Sequence, residues 1–197
     1  AAKFGIDQLP YWKKITEHPA YDAYWQGQAL DVALAARPLK VPTMIVASLW
    51  DQEDMYGGVH VYRALENRAP DQAFLVLGPW RHSGVNYDGS TLGALKFNGD
   101  TALQFRRDVM KPFLDAHLKD GAPAAGTPPV FAYETGTNAW RNLPRWPLAA
   151  GTQKLYLQDG YKAGFDAPAV AGDGYDEYES NPAKPVPYLP RPVRFDD

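Results

Sequence analysis

Residues 41–84, VPTMIVASLWDQEDMYGGVHVYRALENRAPDQAFLVLGPWRHSG, decide how this chain folds. Two apolar runs, residues 44–50 and 74–77, have the composition of buried strands. Between them, residues 55–67 show the periodicity of a helix. Two strands joined by a helix form a βαβ unit, whose strands run parallel. This stretch therefore predicts an α/β fold with a parallel sheet.

Ionisable residues stand just beyond both predicted strands. Asp51 follows the first strand directly, and His82 ends the loop GPWRH that follows the second. In open α/β sheets, functional residues gather beyond the carboxyl ends of the strands. A carboxylate that orients an imidazole forms two members of a Ser-His-Asp triad. We therefore expect Asp51 and His82 to be catalytic, with their side chains within about 2.6–3.2 Å of each other.

The nucleophile is expected outside this sequence. In α/β-hydrolases the triad runs serine, acid, histidine along the chain, and Asp51 before His82 fits that order. A nucleophile elbow has glycine two residues before and two residues after the serine. No serine of this chain meets that rule, and the four tested are Ser48, Ser83, Ser90 and Ser180. The chain alone is therefore expected to be inactive.

The other ionisable residues near the motif have simpler interpretations. Glu53 and Asp54 open the predicted helix, where carboxylates stabilise the positive end of the helix dipole. The remaining histidines are interpreted as packed or surface residues, because none has the spacing of a metal-binding pair; they are His18, His60 and His117. We therefore expect neither a metal site nor a cofactor.

The composition favours a soluble globular enzyme and disfavours several other classes. Hydrophobic residues make up 45% and charged residues 22% of the 197 positions. A net charge of −3 provides no basic surface for nucleic acid, and no run approaches the roughly 20 apolar residues of a membrane span. There are no cysteines, which excludes disulfides and thiol catalysis. The start without methionine and the abrupt end indicate a segment of a longer chain.

Three regions follow from the pattern. Residues 1–39 are aromatic and helical, which suits the end of a helical cap over an active site. Residues 40–120 are predicted to contain the last strands and helices of a hydrolase core. Residues 121–197 begin with a Gly- and Pro-rich stretch, and short strand patterns follow that are typical of a starting β-sandwich.

Several motifs resemble one group of serine hydrolases. The runs LWD at 49–51, GPWRHS at 78–83 and GTNAW at 136–140 resemble the cocaine esterase, glutaryl acylase and X-prolyl dipeptidyl-peptidase group of α/β-hydrolases. Within that group, EHPAYDAYWQGQALD at 17–31 is most similar to the α-amino acid ester hydrolases, which act on β-lactam antibiotics. The resemblance extends over essentially the whole chain. It implies the end of a cap, the C-terminal part of an α/β-hydrolase core, and the start of a jelly-roll domain.

The resemblance also implies roles for individual residues. It assigns the acid to Asp51 and the base to His82, with a small-molecule ester or amide as substrate. A cap carboxylate such as Asp22, flanked by Tyr24 and Trp25, is a candidate for binding an α-ammonium group, although a structural role for Asp22 is equally open. The group implies a homo-oligomer in the periplasm or outside the cell, and a cytoplasmic location stays open.

Two alternatives remain open from the sequence. The chain could come from a related carboxylesterase or an X-prolyl dipeptidyl-peptidase. It could also be a non-catalytic β-sandwich binding module attached to a remnant of a hydrolase. A serine elbow upstream in the same protein would distinguish an enzyme from such a module.

Overall fold

The computed structural model describes residues 1–51, 53–148, 151–168 and 174–185. The chain divides into two compact units, Ala1–Leu148 and Ala149–Asp197. Among the helices of the described ranges, none combines the length and the apolar character that crossing a membrane requires.

The first unit alternates helices and strands around the βαβ stretch. Three short 3-10 turns accompany the main elements: Ala2–Phe4, Ile6–Gln8 and Gly84–Asn86. In chain order the other elements are α1 (Pro10–Glu17), α2 (Ala23–Gln26), α3 (Leu30–Ala35), β1 (Thr43–Ser48), α4 (Met55–Leu65), β2 (Ala73–Gly78), β3 (Thr91–Leu92), β4 (Leu95–Lys96), α5 (Thr101–Phe105), a π-helical segment (Arg106–Met110), α6 (Lys111–Leu118), β5 (Val130–Glu134) and β6 (Ala139–Leu143).

The central sheet has the strand order β1-β2-β5-β6. Strand β1 pairs with β2 in parallel, from Thr43 opposite Ala73 to Ser48 opposite Gly78. Strand β5 adds to the other side of β2, also in parallel, and β6 closes that edge as an antiparallel strand. The predicted βαβ unit with its parallel strands is therefore confirmed. The carboxyl ends of β1, β2 and β5 all lie at one edge of the sheet.

Side chains of alternate strand residues pack on opposite faces of the sheet. On one face, Leu75 and Leu77 are buried against Tyr62 and Leu65 of α4. On the other face, Val76 is buried in a cluster with Trp80, Ala102 and Phe105. Complete burial of a large aliphatic side chain contributes about 1.5–3 kcal/mol. Because β2 is covered on both faces and paired on both edges, it fixes the start of the loop that follows it.

A continuous helical stretch from α5 to α6 begins at a side-chain cap. The carboxylate of Asp100 accepts a hydrogen bond from the amide of Leu103 at 2.9 Å. Pro112 lacks an N–H group, and in a regular α-helix its ring would collide with the carbonyl four residues earlier. The π-helical segment directly before α6 widens the helix there and accommodates this proline.

The region expected to be a cap is helical but poorly buried. Residues 1–39 form three short helices, and none of these residues is buried. The aromatic side chains of Tyr11 and Tyr21 are largely exposed, although large apolar side chains most often pack into a core. Helix α3 contacts α4, so this region joins the rest of the unit mainly through that helix pair.

The structure places the boundary between units later than residue 121. The sequence pattern assigns residues 121–197 to a β-sandwich, whereas β5 and β6 belong to the central sheet with β1 and β2, and the first unit ends at Leu148. The physical reason is that a Gly- and Pro-rich stretch also suits a crossover loop. A short apolar strand likewise has the same composition in a sandwich and in a parallel sheet.

In its described ranges, the second unit contains one hairpin of β7 (Tyr156–Gln158) and β8 (Lys162–Gly164), paired antiparallel. Gly160, in its turn, has a φ of 78°, a left-handed conformation that glycine adopts readily. The predicted jelly-roll start stays a prediction. Part of that expected domain, residues 169–173 and 186–197, lies outside the described residues.

The close approach of Gly78 to Trp80 yields a test of the fold. A Cβ atom added at Gly78 would lie 2.2 Å from the Trp80 ring, so Gly78→Ala should overpack the strand end. We expect a loss of about 1–3 kcal/mol in the free energy of unfolding. Urea unfolding followed by circular dichroism measures this change.

The matched control is Gly57→Ala on α4, where nothing lies within 4 Å of an added Cβ. That substitution should leave stability unchanged or raise it by about 0.5–1 kcal/mol, because alanine favours a helix interior. Equal stability of Gly78→Ala and the parent protein would contradict the packing described here.

Candidate active site

Backbone pairing beyond the ladder aligns the two loops that carry Asp51 and His82. The amide of Leu49 donates to the carbonyl of Gly78 at 2.9 Å, and the amide of Trp50 donates to the carbonyl of Trp80 at 3.1 Å. Between these two bonds the donor advances by one residue, from Leu49 to Trp50, while the acceptor advances by two, from Gly78 to Trp80. As a result, Asp51 and His82 leave the same edge of the sheet on neighbouring strands.

The predicted hydrogen bond between Asp51 and His82 is present. The Nδ1 atom of His82 lies 3.0 Å from Oδ2 of Asp51 and 3.3 Å from Oδ1. The side chain of Asp51 is 7% exposed, while that of His82 is 41% exposed. A buried carboxylate therefore holds the inner nitrogen of an imidazole whose outer part faces solvent.

Backbone amides complete the surroundings of the Asp51 carboxylate. Its Oδ1 atom accepts hydrogen bonds from the amides of Glu53 at 2.9 Å and Asp54 at 3.0 Å. Burial alone would raise the pKa of Asp51. The hydrogen bonds from the Asp54 and Glu53 amides and from His82 outweigh burial, so the pKa lies below its ordinary value. Asp51 is therefore ionised at neutral pH and acts as an acceptor only.

Negative charge surrounds the His82 ring. Besides the 3.0 Å contact with Asp51, its Nδ1 lies 3.6 Å from Oδ2 of Asp54, and its Nε2 lies 3.8 Å from Oε2 of Glu53. The hydrogen bond to Asp51 raises the pKa of His82, partial burial opposes this, and the charges of Glu53, Asp51 and Asp54 add to the rise. We call the exposed carboxylates of Glu53 and Asp54 the acidic rim.

This arrangement suits general base chemistry. Because the Asp51 carboxylate accepts at Nδ1, the neutral ring of His82 carries its proton there and presents an unprotonated Nε2. Such a nitrogen can take a proton from a hydroxyl group or a water molecule. Within the described ranges, no hydrogen bond joins a serine hydroxyl to His82. The catalytic roles of Asp51 and His82 stay predictions.

The three predicted substrate-binding residues, Asp22, Tyr24 and Trp25, lie together near the start of the chain. With His18 they form a group that we call the cap cluster. Asp22 caps α2 by accepting from the amide of Tyr24 at 2.9 Å, and its other oxygen lies 2.6 Å from Nδ1 of His18. Tyr24 stacks on His18 with centroids 4.6 Å apart, and the Trp25 indole donates to the carbonyl of His18 at 2.7 Å. The hydrogen bond from His18 lowers the pKa of Asp22.

The cap cluster and the Asp51–His82 pair are separate in the described part of the chain. No hydrogen bond, ion pair or ring contact joins them there. Both oxygens of Asp22 already have partners within its own helix region. The structure therefore shows Asp22 as a helix cap, and its predicted role in substrate binding stays a prediction.

Sequence reasoning missed two features of these sites. It interpreted Glu53 and Asp54 as helix-dipole residues, yet Asp54 makes no side-chain cap bond to α4 and both carboxylates lie beside His82. It also interpreted His18 only as a packed or surface residue, whereas His18 pairs with Asp22. The available signals were the position of both acids within three residues of Asp51, and the i, i+4 spacing of His18 and Asp22.

The carboxylates beside His82 also resemble part of a metal site. Asp51, Asp54 and His82 offer ligand atoms within 4.8 Å of one another. However, both oxygens of Asp51 already accept hydrogen bonds, one from His82 and the other from two amides. A cation at this point would have to replace the bond between Asp51 and His82. The arrangement is therefore better suited to the predicted acid–base pair than to a bound cation.

A cavity of about 640 Å³ lies over β2, β5 and β6. Neither Asp51 nor His82 lines it. It is mostly apolar, and its lining residues are Leu49, Leu77, Ala132, Tyr133, Glu134, Thr135, Gly136, Arg141, Leu143, Trp146 and Leu148. This cavity is therefore separate from the Asp51–His82 pair.

Comparison with known proteins gives consistent matches. A family model described as X-Pro dipeptidyl-peptidase (S15 family) matches residues 3–84. Cocaine esterase of Rhodococcus sp. (strain MB1 Bresler) is 29% identical over 188 residues, which cover 89% of this chain and 31% of that protein.

Two solved structures resemble nearly the whole chain. An α-amino acid ester hydrolase is 58% identical, with a TM-score of 0.86, and the match covers 98% of this chain and 33% of that one. An aminopeptidase from the marine sediment archaeon Thaumarchaeota archaeon is 48% identical, with a TM-score of 0.86, covering 98% of this chain and 32% of that one. The chain thus spans about a third of the length of these relatives.

The mixed sheet, with a carboxylate and an imidazole hydrogen-bonded at neighbouring strand ends, is an α/β fold of the hydrolase type. It matches the fold of the corresponding third of an α-amino acid ester hydrolase. The resemblance to a known group of serine hydrolases, stated above from the sequence motifs, is also confirmed. The chain is related to the group that includes the α-amino acid ester hydrolases, cocaine esterase and the X-Pro dipeptidyl-peptidases.

Replacement of Asp51 tests the electrostatics of the pair. Asp51→Asn removes the charge and the strongest acceptor at Nδ1, so we expect the pKa of His82 to fall. NMR titration of ring-labelled histidine measures this, with the His82 signal identified by its absence in His82→Ala. The control Asp120→Asn changes an exposed carboxylate on another loop and should leave the titration of His82 unchanged. An unchanged His82 titration in Asp51→Asn would contradict the pairing.

Proposed function

We propose that this chain supplies the acid and the base of a serine hydrolase that cleaves esters and amides of α-amino acids. The observation that carries this proposal is the 3.0 Å contact between Oδ2 of Asp51 and Nδ1 of His82. Its position beyond two neighbouring parallel strands is where such enzymes place these residues. The 58% identity to an α-amino acid ester hydrolase supports the substrate class.

The chemistry follows from the state of the two side chains. Nε2 of His82 takes the proton of a serine hydroxyl as that oxygen attacks the substrate carbonyl. Asp51 keeps the ring in the required tautomer and stabilises the imidazolium that forms. His82 then returns the proton to the leaving group, and an acyl-enzyme remains. Water resolves it to the acid, whereas the amino group of a β-lactam nucleus resolves it to an amide.

The negative charge of the acidic rim favours substrates that carry a positive α-ammonium group. Glu53 and Asp54 are exposed, and each places a carboxylate oxygen within 4 Å of the His82 ring. The carbonyl attacked by the serine must also lie beside Nε2 of His82, and an α-ammonium is only two bonds from that carbonyl. The rim can therefore pair with this ammonium while the carbonyl reacts.

Geometry favours Glu53 and Asp54 over Asp22 for this role. Both oxygens of Asp22 are engaged, one by the Tyr24 amide and one by His18. The Asp54 carboxylate makes no cap bond, and Glu53 is 62% exposed on its side chain. Tyr24 and Trp25 remain candidates for the aryl part of the substrate, since they present aromatic surface in the cap.

A second candidate function is removal of amino-terminal residues from peptides. It is favoured by the same acidic rim and by the 48% identical structure of an aminopeptidase. An X-prolyl dipeptidyl-peptidase would need its ammonium site one residue further from the reacting carbonyl. The closeness of the rim to His82 therefore favours substrates with a single amino acid on the acyl side.

The catalytic role of His82 is tested in the full-length protein. His82→Ala should remove nearly all hydrolysis of phenylglycine methyl ester, by roughly 10⁴-fold or more, as loss of a triad member does. The base works only when neutral, so kcat/KM should rise with pH as His82 loses its proton. Since its neighbours raise the pKa of His82, this rise should come at higher pH than for an isolated histidine.

Ser83→Ala and Ser90→Ala serve as controls in the same assay. Neither serine has the glycine pattern of an elbow, and the Ser90 hydroxyl donates to Asp88. Both variants should hydrolyse the ester at the parent rate. Loss of activity in either one, or full activity of the isolated 197-residue chain, would show that the nucleophile lies here.

Glu53→Gln in the full-length protein tests the ammonium site. We compare methyl esters of phenylglycine and phenylacetic acid, which differ only in the amino group. Loss of the charge pair should reduce the kcat/KM preference for phenylglycine by about 1–3 kcal/mol, roughly 5- to 150-fold. The variant also lowers the pKa of His82, but that effect acts on both esters and cancels in the ratio.

Asp54→Asn should act in the same direction. Two controls define specificity: Glu17→Gln on exposed α1, and Asp22→Asn in the cap cluster. The first should change nothing. The second should lower Tm by weakening the bond between the Asp22 carboxylate and His18, without changing the ratio. A ratio that falls in Asp22→Asn and is constant in Glu53→Gln would place the ammonium site in the cap.

A further inference from the structure

The loop that carries His82 is anchored by the side chain of Trp80. This indole is 2% exposed and lies directly over Gly78, where no side chain would fit. Its ring is 5.5 Å from that of Phe105 and 6.0 Å from that of Trp140, measured between centroids. The loop that carries His82 therefore begins next to a buried side chain, that of Trp80.

One buried hydroxyl fixes the orientation of that indole. The Nε1–H group of Trp80 donates to Oγ1 of Thr101 at 2.9 Å, and this hydroxyl donates in turn to the carbonyl of Gly89 at 2.8 Å. Thr101 is 0% exposed. The hydroxyl proton and one lone pair of Thr101 are therefore both used in hydrogen bonds. Through these bonds the hydroxyl joins Trp80 to Gly89, which follows the loop of His82.

The Thr101 hydroxyl is not required by its own helix. Asp100 caps α5, because its carboxylate accepts from the amides of Leu103 at 2.9 Å and Gly89 at 2.8 Å. The Thr101 amide also has its own partner, the carbonyl of Gly89 at 3.2 Å. A buried hydroxyl is unfavourable unless hydrogen-bonded, and a valine of similar shape would fill the same space. The hydroxyl is therefore explained by the two groups that it joins, the indole of Trp80 and the carbonyl of Gly89.

The backbone links Trp80 indirectly to both Asp51 and His82. Its carbonyl accepts from the amide of Trp50 at 3.1 Å, and Trp50 directly precedes Asp51. Along its own chain, Trp80 precedes His82 by two residues. A rotation of the Trp80 residue would therefore move both loops relative to each other.

We propose that Thr101 is a positioning residue for the Asp51–His82 pair and that it acts through the indole of Trp80. The distance of 3.0 Å between Oδ2 of Asp51 and Nδ1 of His82 then depends on a side chain that contacts neither residue. The kinetic part of this inference rests on the proposed function, because it assumes that His82 is the base. Its structural part concerns only the geometry of the pair.

The experiment uses Thr101→Val, Trp80→Phe and the double variant in the full-length protein. Valine keeps the shape and removes the hydroxyl, and phenylalanine removes only the indole N–H and part of the ring. We measure kcat and KM for phenylglycine methyl ester, and the NMR titration of His82. The charged groups that face this ring are Asp51, Glu53 and Asp54, all unchanged in these variants.

We expect kcat to fall by roughly 10-fold in each single variant with KM unchanged, since a small displacement of a catalytic group is costly. The pKa of His82 should move towards the ordinary histidine value as its bond to Asp51 lengthens. If Thr101 acts through Trp80, the double variant should lose no more than the larger single loss. Thr101→Ser, which keeps the hydroxyl, should recover most of the loss.

A purely structural role for Thr101 gives a different result. In that case Thr101→Val lowers Tm while kcat and the His82 titration stay at the parent values, and this outcome overturns the proposal. Additive losses in the double variant overturn the route through Trp80. The exposed control Thr152→Val should change none of these quantities.

Failure of the proposed function can be recognised separately. If Asp51→Asn leaves the His82 titration unchanged, the pair itself is absent and both conclusions fall. If Asp51→Asn lowers the pKa of His82 but Thr101→Val has no effect, only the positioning role falls. If Thr101→Val shifts the titration while His82→Ala remains active, the positioning stands and the assignment of the base falls.

Discussion

The parallel pairing of β1 with β2 is the constraint on which the rest depends. Its register places Ser48 opposite Gly78, and two further backbone bonds extend it through Trp50 and Trp80. Only because this pairing continues past the ladder do Asp51 and His82 leave the sheet side by side. The helix α4 covers one face and the Trp80 cluster covers the other, so that neither strand can slip without exposing buried side chains.

Much of this arrangement could be predicted from local sequence. Two apolar runs with a helical period between them specify the βαβ unit, and an acid and a histidine just beyond the runs specify the pair. The position of β5 could not be predicted in this way. Its five residues are equally suitable for a sandwich or for a parallel sheet, and the choice is made by pairing with β2, more than 50 residues away.

The remaining features of the site depend on geometry that a sequence does not encode locally. Glu53 and Asp54 face His82 because the backbone turns back at Asp51, and the same two residues would serve a helix terminus if the turn were absent. The bond between Trp80 and Thr101 joins residues 21 positions apart. Contacts of this kind follow from the packed fold, whereas the residue types alone leave several partners possible.

The turn at Asp51 makes the support of its carboxylate independent of the side chains at positions 53 and 54. Two of the hydrogen bonds that hold the Asp51 carboxylate come from the backbone of residues 53 and 54, and not from their side chains. Any residue except proline supplies that N–H group. Side chains at these two positions can therefore be exchanged, and the charge around His82 altered, while the support of the acid persists. Substitutions of these two side chains can therefore change the local charge and leave the bond between Asp51 and His82 in place.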